Sequence, residues 1–392
     1  MAIINFLTSA TLTNWVGKLL ELLYKGIGNF GWTVVVFSII LKVILSPLDI
    51  WQRVSMKNQQ KKMEALKPKL EKLEKQYRNN PDLLKQKQYE VQREAKINVF
   101  ATCLPLIVTM VIFFVVFSGF RALVTYENEV VVEELDKTYV EFVLEYNADK
   151  LTEAQKAEVD ITNWDALKAY CEDSSHNVKD GFSEYEEIQT ESKRDNTDAY
   201  SVMRTKLADE YQKHLKKYGW LWVKNVFKSD TGTDVIPSVK AYTSSGAGGI
   251  SAKLEDTQTH TTYTNLTSPA AEIMNKQKTW DIAKWNGYFI LPLLSLLTSF
   301  LSTFIMQKTG SQATSAVGTA EQQAQQQKQM KMMNYMMPVM LAVFAMLYSS
   351  AFAIYYFMSN VMATITTLVV NMVMKFIDKK KAAQEQQGII IQ

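Results

Sequence analysis

Apolar positions in this chain gather into long blocks, and between the blocks the spacing changes to that of amphipathic helices. Five blocks approach the roughly 20 residues that a bilayer core requires. They cover residues 31 to 50, 99 to 120, 287 to 306, 332 to 349 and 351 to 374. The last two are separated by little more than "SSA", which predicts a tight helical hairpin. Ahead of the first block, "NWVGKLLELLYKGI" sets Trp15, Val16, Leu19, Leu20, Leu22 and Leu23 against Lys18, Glu21 and Lys25. That pattern predicts an amphipathic helix within residues 12 to 30, lying in the membrane interface.

The segment from 51 to 98 carries a different signal. Met56, Met63, Leu66, Leu70, Leu73 and Tyr77 follow steps of 7, 3, 4, 3 and 4, and Leu84, Gln88, Val91 and Ala95 continue in kind. Between the two runs, "NNPD" at 79 to 82 is a turn signal. A heptad-like seam on either side of a turn predicts an antiparallel helical hairpin. The long stretch 121 to 286 divides in two. Residues 125 to 218 read as helical and water-facing, with cap-like starts at Thr152 and Asn163. Residues 229 to 270, with "SSGAGG" and many threonines, read as loop or short strand. Residues 307 to 331 contain a low-complexity, glutamine-rich loop, and 375 to 392 form a basic tail. The predicted fold is an all-α integral membrane protein with five transmembrane helices, a cytoplasmic hairpin and a large extracytoplasmic insertion.

Charge supplies the orientation. Residues 51 to 98 hold 13 Lys/Arg against 6 Asp/Glu, and the segments after the third and fifth blocks are basic as well. Residues 122 to 284 hold 29 acidic residues against 19 basic ones. Positive segments stay cytoplasmic, so five spans place the N-terminus outside and the C-terminus inside. The net charge of +3 gives no reason to expect DNA binding. Cys103 lies in an apolar block and Cys171 in a polar region, so no disulfide is expected. The N-terminal residues lack a basic stretch before their short apolar patch, so no cleaved signal peptide is expected. His176, His214 and His260 are widely separated and read as surface residues, with no metal-ligand spacing between them. The sequence has no HExxH, GxSxG or phosphate-binding glycine loop. Neither an enzyme nor a cofactor is expected.

Polar residues within the blocks form stripes. On the first, Ser38, Lys42, Ser46 and Asp49 share one helix face. On the third, Ser295, Thr298, Ser299 and Ser302 do so, and on the fifth Tyr356, Ser359, Asn360, Thr364, Thr367 and Asn371. The second and fourth blocks are smooth, and Leu104, Ile107, Val111, Phe114, Met340 and Phe344 mark their apolar faces. Three striped helices and two smooth ones predict a bundle around a polar interior. Hydroxyls in membrane helices also bond their own backbone or pack as small residues, so each Ser or Thr has a purely structural reading as well. Lys42 has a snorkelling alternative. Yet a charge near a helix centre costs about 2.5–3.5 kcal/mol on insertion scales, and one substitution to leucine would remove that cost.

Read together, "GWTVVVFSIILKVILSPLDI", "MKNQQKKMEALKPKLEKLEKQY", "CLPLIVTMVIFF", "GWLWVKNVF", "FILPLLSLLTSFLS" and "MMNYMMPVM" through "AIYYFMSN" resemble the YidC/Oxa/Alb membrane protein insertase family. The resemblance covers a little over half the residues and all five blocks in order. It implies a groove open to the cytoplasm and to lipid and closed toward the outside. It also implies nascent membrane proteins as substrates and lipid as surroundings, with the ribosome and a Sec translocon as candidate partners in a bacterial plasma membrane. The family usually carries arginine where Lys42 stands, and glutamine near Ser302. Charge survives the first change, whereas the two-pronged geometry of a guanidinium does not. The insertions on either side of "GWLWVKNVF" have no counterpart in shorter family members. A small-solute channel or transporter, or a receptor working through its outer part, remains the reading from another class.

Overall fold

The computed structural model describes residues 14–77, 79–95, 100–178, 198–244, 250, 257–275, 280–308 and 320–390. It divides into two compact units. One comprises residues up to Thr33, Ser118–Phe289 and Leu347–Ala351, and the other Val34–Phe117, Ile290–Met346 and Phe352–Gln392.

The second unit contains most of the apolar helices and the hairpin. Helix α2, Phe30–Gln76, runs without a break through the first apolar block and into the basic segment. The predicted boundary at residue 50 does not interrupt it. Pro47 and Pro68 lie inside it. It ends at Gln76, and α3, Pro81–Glu94, starts with Pro at its first position and Asn80 capping the Leu83 N–H at 3.2 Å. The seam between α2 and α3 buries Met63, Leu70 and Val91, with Leu66 and Leu73 packed against them. Leu84 and Gln88 are fully buried on α3. Helix α4, Phe100–Ala148, continues far past residue 120. At about 1.5 Å per residue its 49 residues reach roughly 70 Å, more than twice a bilayer core of about 30 Å. Its second half therefore belongs to the insertion.

Among the described residues, four helices are long and apolar enough to cross a membrane. These are α2, the part of α4 from Met110, α10 (Ile290–Lys308) and α12 (Ser350–Ile390, apolar to Ile377). The predicted fourth span falls on α11, Ala320–Leu347, whose apolar part runs Tyr335–Leu347. The glutamine-rich stretch from Ala320 onward is helix, not loop, a good helix former without glycine or proline before Pro338. Residues 309–319 lie outside the described residues, as do 1–13 and 245–249.

The first unit is built on α1 (Trp15–Ile27), the outer half of α4, α5 (Glu153–Lys156), α6 (Trp164–Glu172), α7 (Asp198–Tyr218), α8 (Val239–Thr243) and α9 (Thr257–Met274). Thr152 and Gln155 form a reciprocal capping box, and Asn163 caps Ala166 N–H. The expectation of loop or short strand over 229 to 270 needs correction: its threonine-rich end forms α9, packed along α7. Tyr263 reaches from α9 to the Pro237 carbonyl at 2.7 Å and lies against Tyr242. Burying both rings outweighs the weak helix propensity of threonine. Only an isolated bridge, Trp220 to Val223, has β character among the described residues.

Helix α1 crosses α4 at Gly119. A Cβ there would stand 2.4 Å from Val16 Cβ and Cγ1, so only glycine permits the approach. We predict that Gly119→Val costs about 2–3 kcal/mol through overpacking and frees α1, read as faster proteolysis at Lys18 and Lys25 in detergent-solubilised protein. Unchanged cleavage would show that α1 is not held at this crossing.

The motif "GWLWVKNVF" forms a loop whose centre is Asn286, fully buried. Its amide donates to the Asn225 and Ser229 carbonyls at 3.0 and 2.8 Å and accepts from Asn225 N–H at 2.9 Å. Asp230 takes Trp222 Nε1–H at 3.2 Å and Tyr288 N–H at 2.7 Å. The loop then caps α12: Lys228 O accepts from Ser350 N–H and Oγ–H, each at 2.7 Å, and Val226 O from Ala351 N–H at 2.8 Å. Helix-terminal donors that would otherwise be orphaned are satisfied in this way.

Candidate functional site

The polar stripe of α2 extends further than the first apolar block. Lys42, Ser46, Asp49, Arg53 and Lys57 follow at steps of 4, 3, 4 and 4, one face of one helix. Lys42 is largely buried, with 18% of its side chain exposed, and its Nζ lies 3.8 Å from Asp49 Oδ2. Two helical turns separate the residues, so the lysine chain runs along the helix toward Asp49. Arg53 is near enough for its charge to act on both. Its guanidinium crosses to α12, donating to Thr367 Oγ1 and to the Ala363 carbonyl at 3.3 Å. Lys57 donates to Asn371 Oδ1 at 3.1 Å. Lys42, Asp49 and Arg53 together carry a net charge of +1, and the negative member lies between the positive ones in sequence.

The other stripes are used differently. Ser38 is fully buried and donates to its own helix at Val34 O, 2.6 Å away, and Ser46 likewise to Val43 O at 2.8 Å. Ser295 donates to the Ala353 carbonyl at 3.3 Å, and Ser299 shares a hydrogen bond of 2.9 Å with Tyr356. Ser302 is buried beside them on the same face of α10. This row fastens α10 to α12: small residues permit close approach and hydroxyls bond across the gap. Thr298 and Thr364 bond back to their own helices, at Leu294 O and Asn360 O, both 2.8 Å. Ser359, Asn360 and Thr364 are half-buried. Asn360 Nδ2 and Asn371 Nδ2 are buried with no hydrogen-bond partner among the described residues. Such donors cost about 1–3 kcal/mol each unless something polar reaches them.

The smooth helices present their apolar side outward. Ile107, Val111, Phe114 and Met340 are each more than half exposed, while Phe344 is half-buried. The side chain of Leu104 lies outside the described residues. Around them, Met110, Met336 and Val343 are exposed too, a face suited to hydrocarbon.

Reasoning from the sequence alone missed Arg53 and Lys57, because the first block was ended at residue 50. The spacing from Asp49 was the available signal. The reading of all three histidines as surface residues is also corrected. His214 is 3% exposed and packs between α7 and α4, with Glu134 2.7 Å from its Nε2. Separation in sequence hid a contact made by two long helices. His260's side chain lies outside the described residues.

The family described as 60Kd inner membrane protein matches residues 22–152 and 199–380, well over half the chain. The chain belongs to this family. Three relatives of the chain are each named membrane protein insertase YidC. The one from Caldanaerobacter subterraneus is 33% identical over 112 residues, 29% of this chain and 52% of the relative. The one from Fusobacterium nucleatum is 37% identical over 111 residues, 28% and 52% respectively. A third, from Prosthecochloris aestuarii, is 33% identical over 102 residues, 26% of this chain and 17% of the relative. The chain thus spans at most about half the length of these curated relatives. No solved structure matches the chain. The membership agrees with the resemblance to YidC/Oxa/Alb proteins and with a multi-pass, all-α membrane protein.

Proposed function

We propose that this chain is a membrane protein insertase. The observation that carries the reading is the charged face of α2, where Lys42 sits among apolar helices and is matched only loosely by Asp49 at 3.8 Å. A short, polar or acidic segment of an incoming chain rests against Lys42, and the half-buried Ser46, Thr298, Ser359, Asn360 and Thr364 offer further hydrogen-bonding positions. This lowers the cost of carrying unpaired backbone into hydrocarbon, several kcal/mol per group without partners. The apolar segment of the same substrate moves along Ile107, Val111, Phe114, Met340 and Phe344 into lipid, and its burial supplies the driving force. No cofactor or nucleotide is required by this scheme.

Ser38, Ser295, Ser299, Ser302 and Tyr356 support the site by fixing helix positions. The basic hairpin α2–α3 receives the substrate on the cytoplasmic side, with the ribosome and a Sec translocon as candidate partners. The protein lies in a bacterial plasma membrane, N-terminus outside. The relatives' printed name supports this reading.

The test is reconstitution of the purified full chain alone into liposomes, with a two-span substrate synthesised in their presence and protease protection as readout. Insertion well above that of protein-free liposomes is expected, without release of an entrapped small dye. Dye release without protected substrate would favour a channel and overturn the proposal.

A further inference from the structure

We propose that the insertion domain holds a divalent transition-metal ion, of the zinc type, between Glu134 on α4 and Glu210 and His214 on α7. The three side chains each offer one ligand atom, and these atoms lie within 4.8 Å of one another. Glu210 and His214 stand four residues apart on one face of α7. Glu134 comes from the facing helix and is partly exposed, at 42%.

The hydrogen-bond directions around His214 point to a cation. Tyr218 uses its one hydrogen on Glu127 Oε2, 2.9 Å away. Its oxygen is 3.3 Å from His214 Nδ1, so it can only accept there, and Nδ1 carries the proton. The neutral ring then turns the lone pair of Nε2 toward the carboxylates. Nε2 is buried and has no hydrogen-bond partner, although Glu134 Oε2 is 2.7 Å away. A lone pair facing an anionic oxygen at that distance is repulsive. A positive ion between them reverses the sign.

The competing account is an imidazolium paired with Glu134. The geometry opposes it, because the buried Nε2 lies 2.7 Å from Glu134 Oε2 and still has no hydrogen-bond partner among the described residues. A metal-binding histidine typically donates its other ring hydrogen to a fixed acceptor, and Tyr218, itself anchored on Glu127, is that acceptor here.

The charges facing the site are not prohibitive. Lys213 takes Glu210 Oε2 at 2.6 Å, but a carboxylate has about four lone-pair positions, so ligation capacity remains. One imidazole nitrogen and two carboxylate oxygens suit zinc at about 2.0–2.2 Å, and rotation of the partly exposed Glu134 closes the set. A solvent molecule completes a tetrahedral shell from the open side. The ion would clip α7 onto the outer half of α4, tying residues 76 positions apart and fixing the helix on which the "GWLWVKNVF" loop follows directly.

The experiment uses the full chain without a histidine tag, in nanodiscs, stripped with a chelator and titrated calorimetrically with zinc chloride. One saturable site with micromolar or tighter affinity is expected. Glu210→Gln and Glu134→Gln, both at partly exposed positions that folding tolerates, should each weaken binding at least tenfold. Zinc should also raise the thermal midpoint of the wild type but not of Glu210→Gln. Absence of saturable binding, or tight binding that both variants retain, would overturn the proposal.

Discussion

Lys42→Leu is expected to reduce insertion in reconstituted liposomes by between about fivefold and a thousandfold, while the protein stays folded. The estimate follows from the charge. Two unit charges about 4 Å apart attract by about 4 kcal/mol at an effective dielectric constant of 20, and partial solvation lowers this toward 1. Each 1.4 kcal/mol is about tenfold in rate. Folding should survive because leucine removes a cost of about 2.5–3.5 kcal/mol at a helix centre. Lys42→Arg should retain most activity. The pairing with Asp49 adds a sharper test: Lys42→Leu with Asp49→Asn restores the net charge of the Lys42, Asp49 and Arg53 set to +1. We expect partial recovery in this double variant. Full activity in the single Lys42→Leu variant would remove the charge from the mechanism and leave Lys42 as a snorkelling residue.

Asn286→Ala is expected to cost more than about 3 kcal/mol of stability and to loosen the loop that caps α12. The side chain makes three hydrogen bonds of 2.8 to 3.0 Å and is fully buried, and each buried group left without a partner costs about 1–3 kcal/mol. The loop has little alternative. At Gly287 a Cβ would fall 1.9 Å from Asp230 Oδ1, so the chain cannot shift to fill the gap. Faster proteolysis at Lys224 and Lys228, with a lowered thermal midpoint, is the readout. A midpoint equal to wild type would mean that the loop is held by Asp230 and the bonds to Ser350 and Ala351 alone.

What was legible in the sequence divides along a physical line. Apolar blocks and heptad steps report local periodicity, so α2, α4, α10, α12 and the Met63–Leu70–Val91 seam could be read directly. Lys42 was legible because its cost is intrinsic to its position. Arg53 was signalled only by its step of four beyond Asp49, and its partners Thr367 and Ala363, more than 300 positions away, were not signalled at all. The serines of α10 looked like a groove lining, but a stripe of hydroxyls has the same sequence whether it faces water or, as here for Ser295 and Ser299, a neighbouring helix. His214 and Asn286 were invisible for a related reason: their roles come from tertiary contacts, which single-chain spacing does not encode. Threonine propensity pointed the wrong way over α9, where burial of Tyr263 decided the outcome.

The continuity of α2 makes the hairpin and the Lys42 region one lever. With its fulcrum near Arg53 and Lys57, where α2 is fastened to α12, the arm beyond runs about 30 Å to Gln76 at roughly 1.5 Å per residue. The arm inward to Lys42 is about two thirds as long. A sideways displacement of the hairpin tip is therefore carried past Arg53 and Lys57 toward Lys42, attenuated wherever the helix bends at Pro68 and Pro47.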